Sequence, residues 1–293
     1  MSPGAALRRR LTPYLLLLAG VGWLLVFFVA PMVYQASTSV QTGSLEQGFT
    51  VTWHFATYWD ALHAYWPHFV RSLLYAALAT AACLAIGYPL AYMIAFRAGR
   101  RRNAVLVLVV APFLTSFLIR TLAWETILSD QGPVVRLLNA VHVLDVTSWL
   151  GVTEGHRVLA TPLAVVCGLT YNFLPFMILP LYTSLDRIDA RLHEAAGDLH
   201  ATPLATFRTV TLPLSMPGVV AGTLLTFIPA CGDYINAELL GSTNDKMIGN
   251  VIQAQFLRVL DYPTAAALSF LLMAAILAVV TLHIRRAGTE ELV

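Results

Sequence analysis

A polar stretch between two apolar segments determines how this chain folds: Asp186-Arg-Ile-Asp-Ala-Arg-Leu-His-Glu-Ala-Ala-Gly-Asp-Leu-His-Ala-Thr-Pro-Leu-Ala-Thr-Phe-Arg-Thr-Val-Thr-Leu-Pro213. In its first half apolar residues recur three or four positions apart: Leu185, Ile188, Leu192, Ala195 and Leu199. This spacing predicts a helix with one apolar face. Either Asp186 or Asp189 is expected to cap the N-terminus of that helix, because a carboxylate accepts hydrogen bonds from the first free N–H groups.

The second half of the stretch predicts another short helix. Thr202 is a favourable N-cap, and Pro203 suits the first helical position because it has no N–H to leave unpaired. One side of this helix would carry Leu204, Phe207 and Val210. We expect Leu212-Pro213 and Pro217-Gly218 to end it and to redirect the chain.

Together the two helices form a helix–turn–helix elbow, which has two interpretations. It is either an amphipathic elbow that lies at the level of the lipid headgroups, or a docking surface for a cytoplasmic partner. Glu194 is followed by Ala195 and Ala196, and these small side chains would permit another surface to approach closely.

Composition places the rest of the chain in a membrane. Of its 293 residues, 58% are hydrophobic and only 12% are charged, against about 25% charged in ordinary soluble domains. Six apolar segments approach the roughly 20 residues that a spanning helix needs. They are approximately 13–37, 70–96, 104–128, 158–183, 213–237 and 263–284. We therefore predict an all-α polytopic integral membrane protein with six transmembrane helices.

The placement of arginine predicts the orientation, because basic residues concentrate in cytoplasmic loops. With a cytoplasmic N-terminus, the inner segments hold twelve of the 18 basic residues: Arg8, Arg9, Arg10, Arg97, Arg100, Arg101, Arg102, Arg187, Arg191, Arg208, Arg285 and Arg286. Both termini are therefore predicted in the cytoplasm, with the elbow on the same side.

The elbow resembles the EAA loop of ABC importer permeases. That motif consists of Glu-Ala-Ala, three residues, glycine, nine residues, isoleucine, one residue and Leu-Pro. Here Glu194-Ala195-Ala196 is followed by Val210 in place of isoleucine and then by Leu212-Pro213, with the spacing intact. The motif glycine falls on His200, with Gly197 nearby. A glycine suits this turn because it adopts a left-handed conformation easily.

This resemblance implies a type I ABC importer permease fold, with the elbow as the coupling helix that sits in a groove of a cytoplasmic ATPase. In that family, closure of two ATPase subunits around ATP switches a permease pair between inward-facing and outward-facing states. The implied coupling residues are Glu194, Ala195, Ala196, Gly197, His200, Leu212 and Pro213. Glu194 is expected to meet a basic group on the ATPase in a charge-assisted contact.

The resemblance also implies the partners and the location. They are a second related permease subunit, two ATPase subunits, an extracytoplasmic solute-binding protein and the lipids of the bacterial inner membrane. ATP and Mg would be bound by the ATPase subunits, and this chain would bind no cofactor. We expect three regions: an N-terminal helix and outer loop in 1–68, the permease domain in 69–285 with its elbow at 186–213, and a cytoplasmic tail in 286–293.

Three further segments are similar to the spermidine/putrescine permeases: 111–120, 174–180 and 248–256. Within that group the chain is similar to the first of the two related permeases, which implies import of polyamines by alternating access. Related importers of other solutes share parts of these segments. The alternative substrates are a metal ion, a sulfur oxyanion or a phosphonate, and paired intramembrane charges argue against an anion.

Ionisable side chains at membrane depth are costly and indicate function. The candidates for a substrate pathway or gate are Arg120, Trp124, Glu125, Asp233, Tyr234 and Glu238. Carboxylates would pair with the ammonium groups of a polyamine, and aromatic faces would add cation–π contacts. Pro229 and Gly232, next to Asp233, are expected to loosen the fifth helix. The alternative is that Arg120 forms a structural or gating ion pair with Glu125 or Asp233, while Glu238 lies at the interface.

Other classes of protein fit poorly. The sequence has no Gly-x4-Gly-Lys-Ser/Thr phosphate loop, so ATP hydrolysis would belong to a partner. It also lacks the HExxH and GxSxG motifs of a zinc protease or serine hydrolase. A metal site and nucleic-acid binding are not expected. A secondary transporter would be expected to show an inverted repeat, and none is visible.

Overall fold

The computed structural model describes residues 17–18, 20–140 and 157–287. Among these residues the secondary-structure elements, in chain order, are α1 (Gly20–Ser39), β1 (Gln41–Ser44), β2 (Gly48–Val51), α2 (Ala56–Phe96), α3 (Arg102–Val110), α4 (Phe117–Leu128), α5 (Pro133–Ala140), α6 (Pro162–Asp186), α7 (Ala190–Asp198), α8 (Pro203–Thr206), α9 (Leu212–Cys231), α10 (Ile235–Leu240), α11 (Ile248–Ala254) and α12 (Tyr262–Ala287).

Five helices in the described ranges are long and apolar enough to cross a membrane. They are Gly20–Ser39, Ala56–Phe96, Pro162–Asp186, Pro203–Cys231 and Tyr262–Arg285. A bent pair, Gly99–Leu114 with Phe117–Leu137, supplies a sixth span if it is counted as one. The predicted all-α membrane architecture is confirmed, and a two-stranded β-hairpin is added to it.

The third predicted span is wrong in its shape, because the structure does not continue one helix through 104–128. The chain bends by 93° between the two halves of the pair. Thr115 and Ser116 adopt extended backbone conformations, which end the first half. The Pro112 carbonyl oxygen accepts hydrogen bonds from both the hydroxyl and the backbone N–H of Thr115, at 2.6 and 3.3 Å, so Thr115 caps the end of the first half.

Two other boundaries also differ from the predicted spans. The second span starts at Ala56 rather than near residue 70, because the helix continues through Pro67. The fifth ends at Cys231 rather than near 237, since Gly232 and the residues after it leave the helical conformation. Pro229 lies inside this helix without ending it. The helix was expected to be loosened near Asp233 by Pro229 and Gly232. In the structure the helix instead ends just before Gly232.

The described part of the chain divides into two compact units, the first formed by residues up to 64 together with 254–271. Within the described part of this unit, the β-hairpin pairs antiparallel from Gln41 opposite Val51 to Ser44 opposite Gly48. The ring of Tyr262 packs against Phe49 at 5.4 Å between centroids. Around this contact the hairpin meets the start of α12.

The second unit comprises the described residues between 65 and 253 and those from 272 onward. Its core lies where α2, α6 and α9 meet, and includes the buried residues Cys83, Ala91, Ile94, Met177, Ile178, Leu181 and Leu185. Gly218 and Gly222 lie one turn apart on α9 and face α6. A Cβ atom at Gly218 would lie 2.8 Å from the Pro180 carbonyl oxygen, and one at Gly222 would lie 2.7 Å from the Met177 sulfur. Small residues at this spacing let membrane helices approach closely.

Candidate functional site: the elbow and the amide network

The first elbow helix, α7, is shorter than the sequence predicts. It begins at Ala190, because the Asp189 carboxylate caps it by accepting from the Arg191 N–H at 3.0 Å. Asp186 belongs to the end of α6 and pairs instead with Arg102 at 3.1 Å. Leu185 lies on α6 and is buried in the core, so the predicted apolar face from 185 to 199 spans two separate elements.

The turn of the elbow is made by His200, at the position of the motif glycine. Its φ of +58° places it in the left-handed region. The His200 N–H donates to the Gly197 carbonyl oxygen at 2.9 Å, and the Ala201 N–H donates to that of Ala196 at 3.0 Å. These bonds form a Schellman motif, which satisfies the last carbonyls of α7. Histidine therefore makes the turn that glycine was expected to make.

The second elbow helix starts as predicted and ends differently. The Thr202 hydroxyl oxygen accepts from the Ala205 N–H at 3.3 Å, with Pro203 in the first turn. The predicted end at Leu212-Pro213 is wrong, because the chain remains helical from Pro203 to Cys231. A π-helical turn at Phe207–Thr211 lies immediately before Pro213. Such a turn inserts one extra residue and shifts the pattern of backbone hydrogen bonds. The helix can therefore continue through Pro213, which has no N–H to donate.

The elbow exposes both charged and apolar side chains. Glu194, Ala195 and Gly197 are exposed, while Leu199 and Leu204 are 83% and 60% exposed. An apolar surface beside a carboxylate suits contact with a complementary surface of another molecule. Leu212 is half-buried and Pro213 is exposed where the elbow joins α9.

Sequence reasoning missed the residues that hold the elbow against the rest of the protein. His193 and Phe207 in the elbow lie against aromatic rings of α2: Tyr88, Tyr92 and Phe96. The sequence does contain a signal, because these three α2 residues are spaced four apart and so share one helix face.

The second candidate region is a buried hydrogen-bonded cluster, which we call the amide network after Asn172, Asn236 and Asn250. The Asn172 side-chain amide donates to the Thr121 hydroxyl at 3.2 Å and to the Asn236 side-chain oxygen at 3.0 Å. The backbone N–H of Asn236 donates to the Asp233 carboxylate at 2.8 Å. All four residues are buried, so the network joins α4, α6 and α10 through polar groups.

Asn250 extends the amide network toward exposed side chains. Its amide donates to the Tyr234 carbonyl oxygen at 2.8 Å and to the Glu238 carboxylate at 3.2 Å. Tyr234 and Glu238 are exposed, whereas Asp233 beside them is buried. The structure therefore brings together the three pathway candidates that follow α9.

The remaining pathway candidates lie on α4, which packs against α10. Trp124 packs edge-on against Tyr171, with ring centroids 5.3 Å apart. Glu125 and Trp124 are both half-buried. Tyr171 was not a sequence candidate, since a lone tyrosine within an apolar run gives no pattern.

Arg120 does not form either of the ion pairs considered from the sequence. Within the described ranges no salt bridge joins it to Glu125 or Asp233. Its guanidinium carbon lies 4.1 Å from the Phe113 ring centre and 5.7 Å from that of Phe117. The Nε and Nη1 atoms are buried with no hydrogen-bond partner in the described part of the chain. Aromatic faces, rather than a carboxylate, hold this cation.

A buried carboxylate that was not a pathway candidate anchors the loop before α11. Asp245 accepts hydrogen bonds from the Tyr75 hydroxyl at 3.0 Å and from the N–H and hydroxyl of Ser242 at 2.9 and 2.7 Å. Beside it, the Arg71 guanidinium donates to the Lys246 carbonyl oxygen at 2.8 Å. The contacts of Tyr75 and Arg71 join residues about 170 positions apart, so sequence spacing could not reveal them.

Comparison with known families identifies the family to which this chain belongs. The family model of the binding-protein-dependent transport system inner membrane component matches residues 87–287, which include the elbow, α6, α9 and the amide network. The chain belongs to this family. It is therefore a multi-pass permease subunit of a transport system and not an enzyme.

Curated relatives of this permease share most of its length. It is 38% identical over 257 residues to the spermidine/putrescine transport system permease protein PotB of Escherichia coli, covering 86% of this chain and 89% of that one. The PotB protein of Haemophilus influenzae is 37% identical over 250 residues, with 84% of each chain covered.

A solved structure shares the fold of this permease. It is described as a bacterial alginate ABC transporter in complex with an alginate pentasaccharide-bound periplasmic protein. The superposition has a TM-score of 0.66 at 20% identity and covers 98% of this chain and 97% of that one. That similarity concerns the fold alone.

Proposed function

We propose that this permease is the subunit through which an ATP-driven importer moves polyamines into the cytoplasm. The observation that carries the proposal is the 38% identity to a spermidine/putrescine permease over 86% of the chain. The proposed complex contains a second related permease subunit, two cytoplasmic ATPase subunits that bind ATP and Mg, and an extracytoplasmic solute-binding protein. Both termini and the elbow face the cytoplasm, and the membrane is the bacterial inner membrane.

The elbow is proposed to couple the ATPase to the permease. The coupling residues are Glu194, Ala195, Ala196, Gly197, His200, Leu212 and Pro213. In support, Glu194 is exposed on α7, and the Schellman motif at His200 fixes the angle between α7 and α8. Because the elbow is already ordered, docking costs little conformational entropy and a displacement of the ATPase is passed on to the permease.

A polyamine pathway is proposed along the pathway candidates: Arg120, Trp124, Glu125, Asp233, Tyr234 and Glu238. Exposed Glu238 and Tyr234 offer a carboxylate and an aromatic ring to an ammonium group, and each cation–π contact is worth about 0.5–2 kcal/mol. Arg120 carries the same charge as the solute, so its role is assigned to a gate rather than to binding. The sequence argued against an anionic solute because intramembrane charges were expected to be paired, but Arg120 is not paired with a carboxylate in the described part of the chain. The proposal of a polyamine as the substrate therefore rests on the similarity to the spermidine/putrescine permeases.

The second permease subunit is proposed to pack along an open groove between α6 and α9. The groove has a volume of about 770 Å³ and continues to the start of α7. Half-exposed apolar side chains line it, including Phe176, Leu214 and Leu225. A helix of the partner could pack closely into this groove, because a small residue, Gly218, lies at its floor.

Uptake by cells tests the proposed substrate. Cells lacking this gene and other polyamine importers are given labelled spermidine or putrescine, and are complemented with the wild type or with Asp233→Asn. We expect the deletion to lose uptake and the wild type to restore it. Asp233→Asn is expected to reduce uptake by about 10-fold, because the variant removes a buried charge near the proposed path.

The outcomes separate the parts of the proposal. If uptake of both polyamines is unchanged in the deletion, the chain is still a transport permease, but its solute is another one. Labelled molybdate, sulfate and phosphonate are then tested in the same strain. If the wild type restores uptake and Asp233→Asn does so equally well, the substrate stands and Asp233 is not part of the pathway.

A further inference from the structure

The cytoplasmic end of α2, as oriented above, faces the elbow with a row of aromatic rings. Tyr88 and Tyr92 lie 5.7 and 6.3 Å from the Phe207 ring, both edge-on. Phe96, one turn further along, lies edge-on to His193 at 5.0 Å. The two elbow residues come from α7 and from the π-helical turn, so a single face of α2 contacts both halves of the elbow.

His193 holds three elements together. Its Nε2 atom lies 3.1 Å from the Thr211 hydroxyl, which belongs to the last residue of the π-helical turn. Thr211 is only 1% exposed and His193 is half-buried, so this hydrogen bond is partly shielded from water. His193 also directly precedes Glu194, the exposed residue proposed to meet the ATPase. A force on Glu194 therefore reaches α2 and the start of α9 through the neighbouring residue.

A second polar contact holds the junction above the π-helical turn. The Tyr88 hydroxyl lies 2.7 Å from that of Ser215, which is fully buried. Two hydrogen bonds therefore lie at the end of the π-helical turn. One is made by its last residue, Thr211, and the other by Ser215, four residues further along the chain. Turns of this kind occur frequently at functional sites, because their extra residue makes the helix locally adaptable. Hydrogen bonds at this junction would keep the elbow and α9 from moving independently.

We propose that His193 is a positioning residue that makes the elbow, α2 and α9 move as one body when the ATPase closes. This inference rests on the proposed docking of the elbow. It assigns a function to a residue outside the EAA motif, whose ring faces the protein rather than the partner. Loss of the His193 contacts should let the elbow follow the ATPase without moving the transmembrane helices.

The test measures ATP hydrolysis and labelled spermidine uptake together, in vesicles that contain the whole complex and its binding protein. His193→Ala removes both the ring contact and the hydrogen bond, and Thr211→Val removes only the hydrogen bond. Thr209→Val is the matched control, since the Thr209 hydroxyl bonds within its own helix, to the Ala205 carbonyl oxygen at 2.8 Å. His193→Gln retains a polar group near the Nε2 position.

We expect Thr211→Val to lower spermidine taken up per ATP hydrolysed by roughly 2- to 10-fold, the effect of one lost hydrogen bond. His193→Ala should lower it further, His193→Gln should recover part of the loss, and Thr209→Val should match the wild type. The ATPase subunit should co-purify with every variant. If His193→Ala fails to assemble, the milder Thr211→Val still decides the question.

An unchanged ratio of uptake to hydrolysis in assembled His193→Ala or Thr211→Val complexes would overturn the inference. An equal loss in Thr209→Val would also overturn it, because the effect would then not be specific to the His193 contact. Failure of the proposed function looks different. In that case the wild-type complex itself shows no ATP-driven spermidine uptake, or the ATPase does not co-purify with the wild type.

Discussion

The elbow and the amide network differ in how the chain specifies them. Every cap and turn of the elbow is made by residues within five positions of one another, such as Asp189 with Arg191 or Ala196 with Ala201. The amide network joins residues 51 and 64 positions apart. The elbow exposes the Glu194 carboxylate, whereas the network buries the side chains of Thr121, Asn172 and Asn236. Local order with exposed groups suits a docking surface, and long-range buried order suits a fixed scaffold within the membrane.

This difference predicts two kinds of variant. Charge-reversing substitutions on the exposed face of α7 should change transport while leaving the stability of the protein unaltered. Substitutions that remove a polar side chain from the buried network should lower stability first, because its former partner is left unpaired away from water.

The largest effect is expected from Glu194→Arg in the elbow. Reversing one partner of a charge pair in an interface costs about 2–5 kcal/mol, which corresponds to roughly 30-fold or more. Labelled spermidine uptake by cells should fall by at least that factor, while capture of the solute by the binding protein is unchanged. Asp130→Arg serves as the control, since the Asp130–Arg157 pair is exposed. Normal uptake by Glu194→Arg would remove the docking role from Glu194.

The next largest effect is expected from Asp245→Ala. This variant deprives Tyr75 and Ser242 of their shared acceptor, and hydrogen bonds to charged groups contribute about 1.5–3 kcal/mol each. The thermal midpoint of the protein purified in detergent should fall by several degrees. Asp130→Ala, at an exposed carboxylate, should leave it nearly unchanged. Equal midpoints for the two variants would show that Asp245 is not an anchor.

A smaller loss of stability is expected from Asn172→Leu. It takes a hydrogen-bond partner from the Thr121 hydroxyl and from the Asn236 side chain, at a cost of about 1–3 kcal/mol. The matched control is Thr183→Val, because the exposed Thr183 hydroxyl bonds to the Leu179 carbonyl oxygen of its own helix. Thermal unfolding in detergent measures both. A stable Asn172→Leu protein would mean that apolar packing alone holds α4, α6 and α10 together.

The smallest effect is expected at His200. A left-handed conformation costs an L-residue about 1–2 kcal/mol, and the flexibility of glycine in the unfolded chain offsets part of any gain. His200→Gly should therefore raise the thermal midpoint slightly and retain uptake, whereas the β-branched His200→Val should lower both. If Val is tolerated as well as Gly, the turn does not depend on φ at this position.

Sequence predicted most of the elbow because its determinants are local. Thr202-Pro203 marks the start of α8, and Asp189 was one of two expected caps for α7. The failure at Leu212-Pro213 has a physical cause, since a π-helical turn accommodates a proline that would otherwise end the helix. No sequence rule gives the position of such a turn.

The membrane region was predicted at the level of spans and not of contacts. Hydropathy located the apolar segments, but it could not show the 93° bend at Thr115–Ser116. Nor could it show that Arg120 lies over Phe113 rather than beside a carboxylate. Such pairings depend on which helices become neighbours, and that depends on close packing such as that at Gly218 and Gly222.

The most direct test of the central claim is a photo-crosslink from the elbow in living cells. A photoreactive amino acid replaces Ala195 on the exposed face of α7, and in a control it replaces Asp60, which is exposed near the start of α2. The account predicts that position 195 crosslinks to the ATPase subunit and that position 60 does not. No crosslink to the ATPase from position 195 in cells that still import spermidine would contradict the claim that the elbow is the coupling surface.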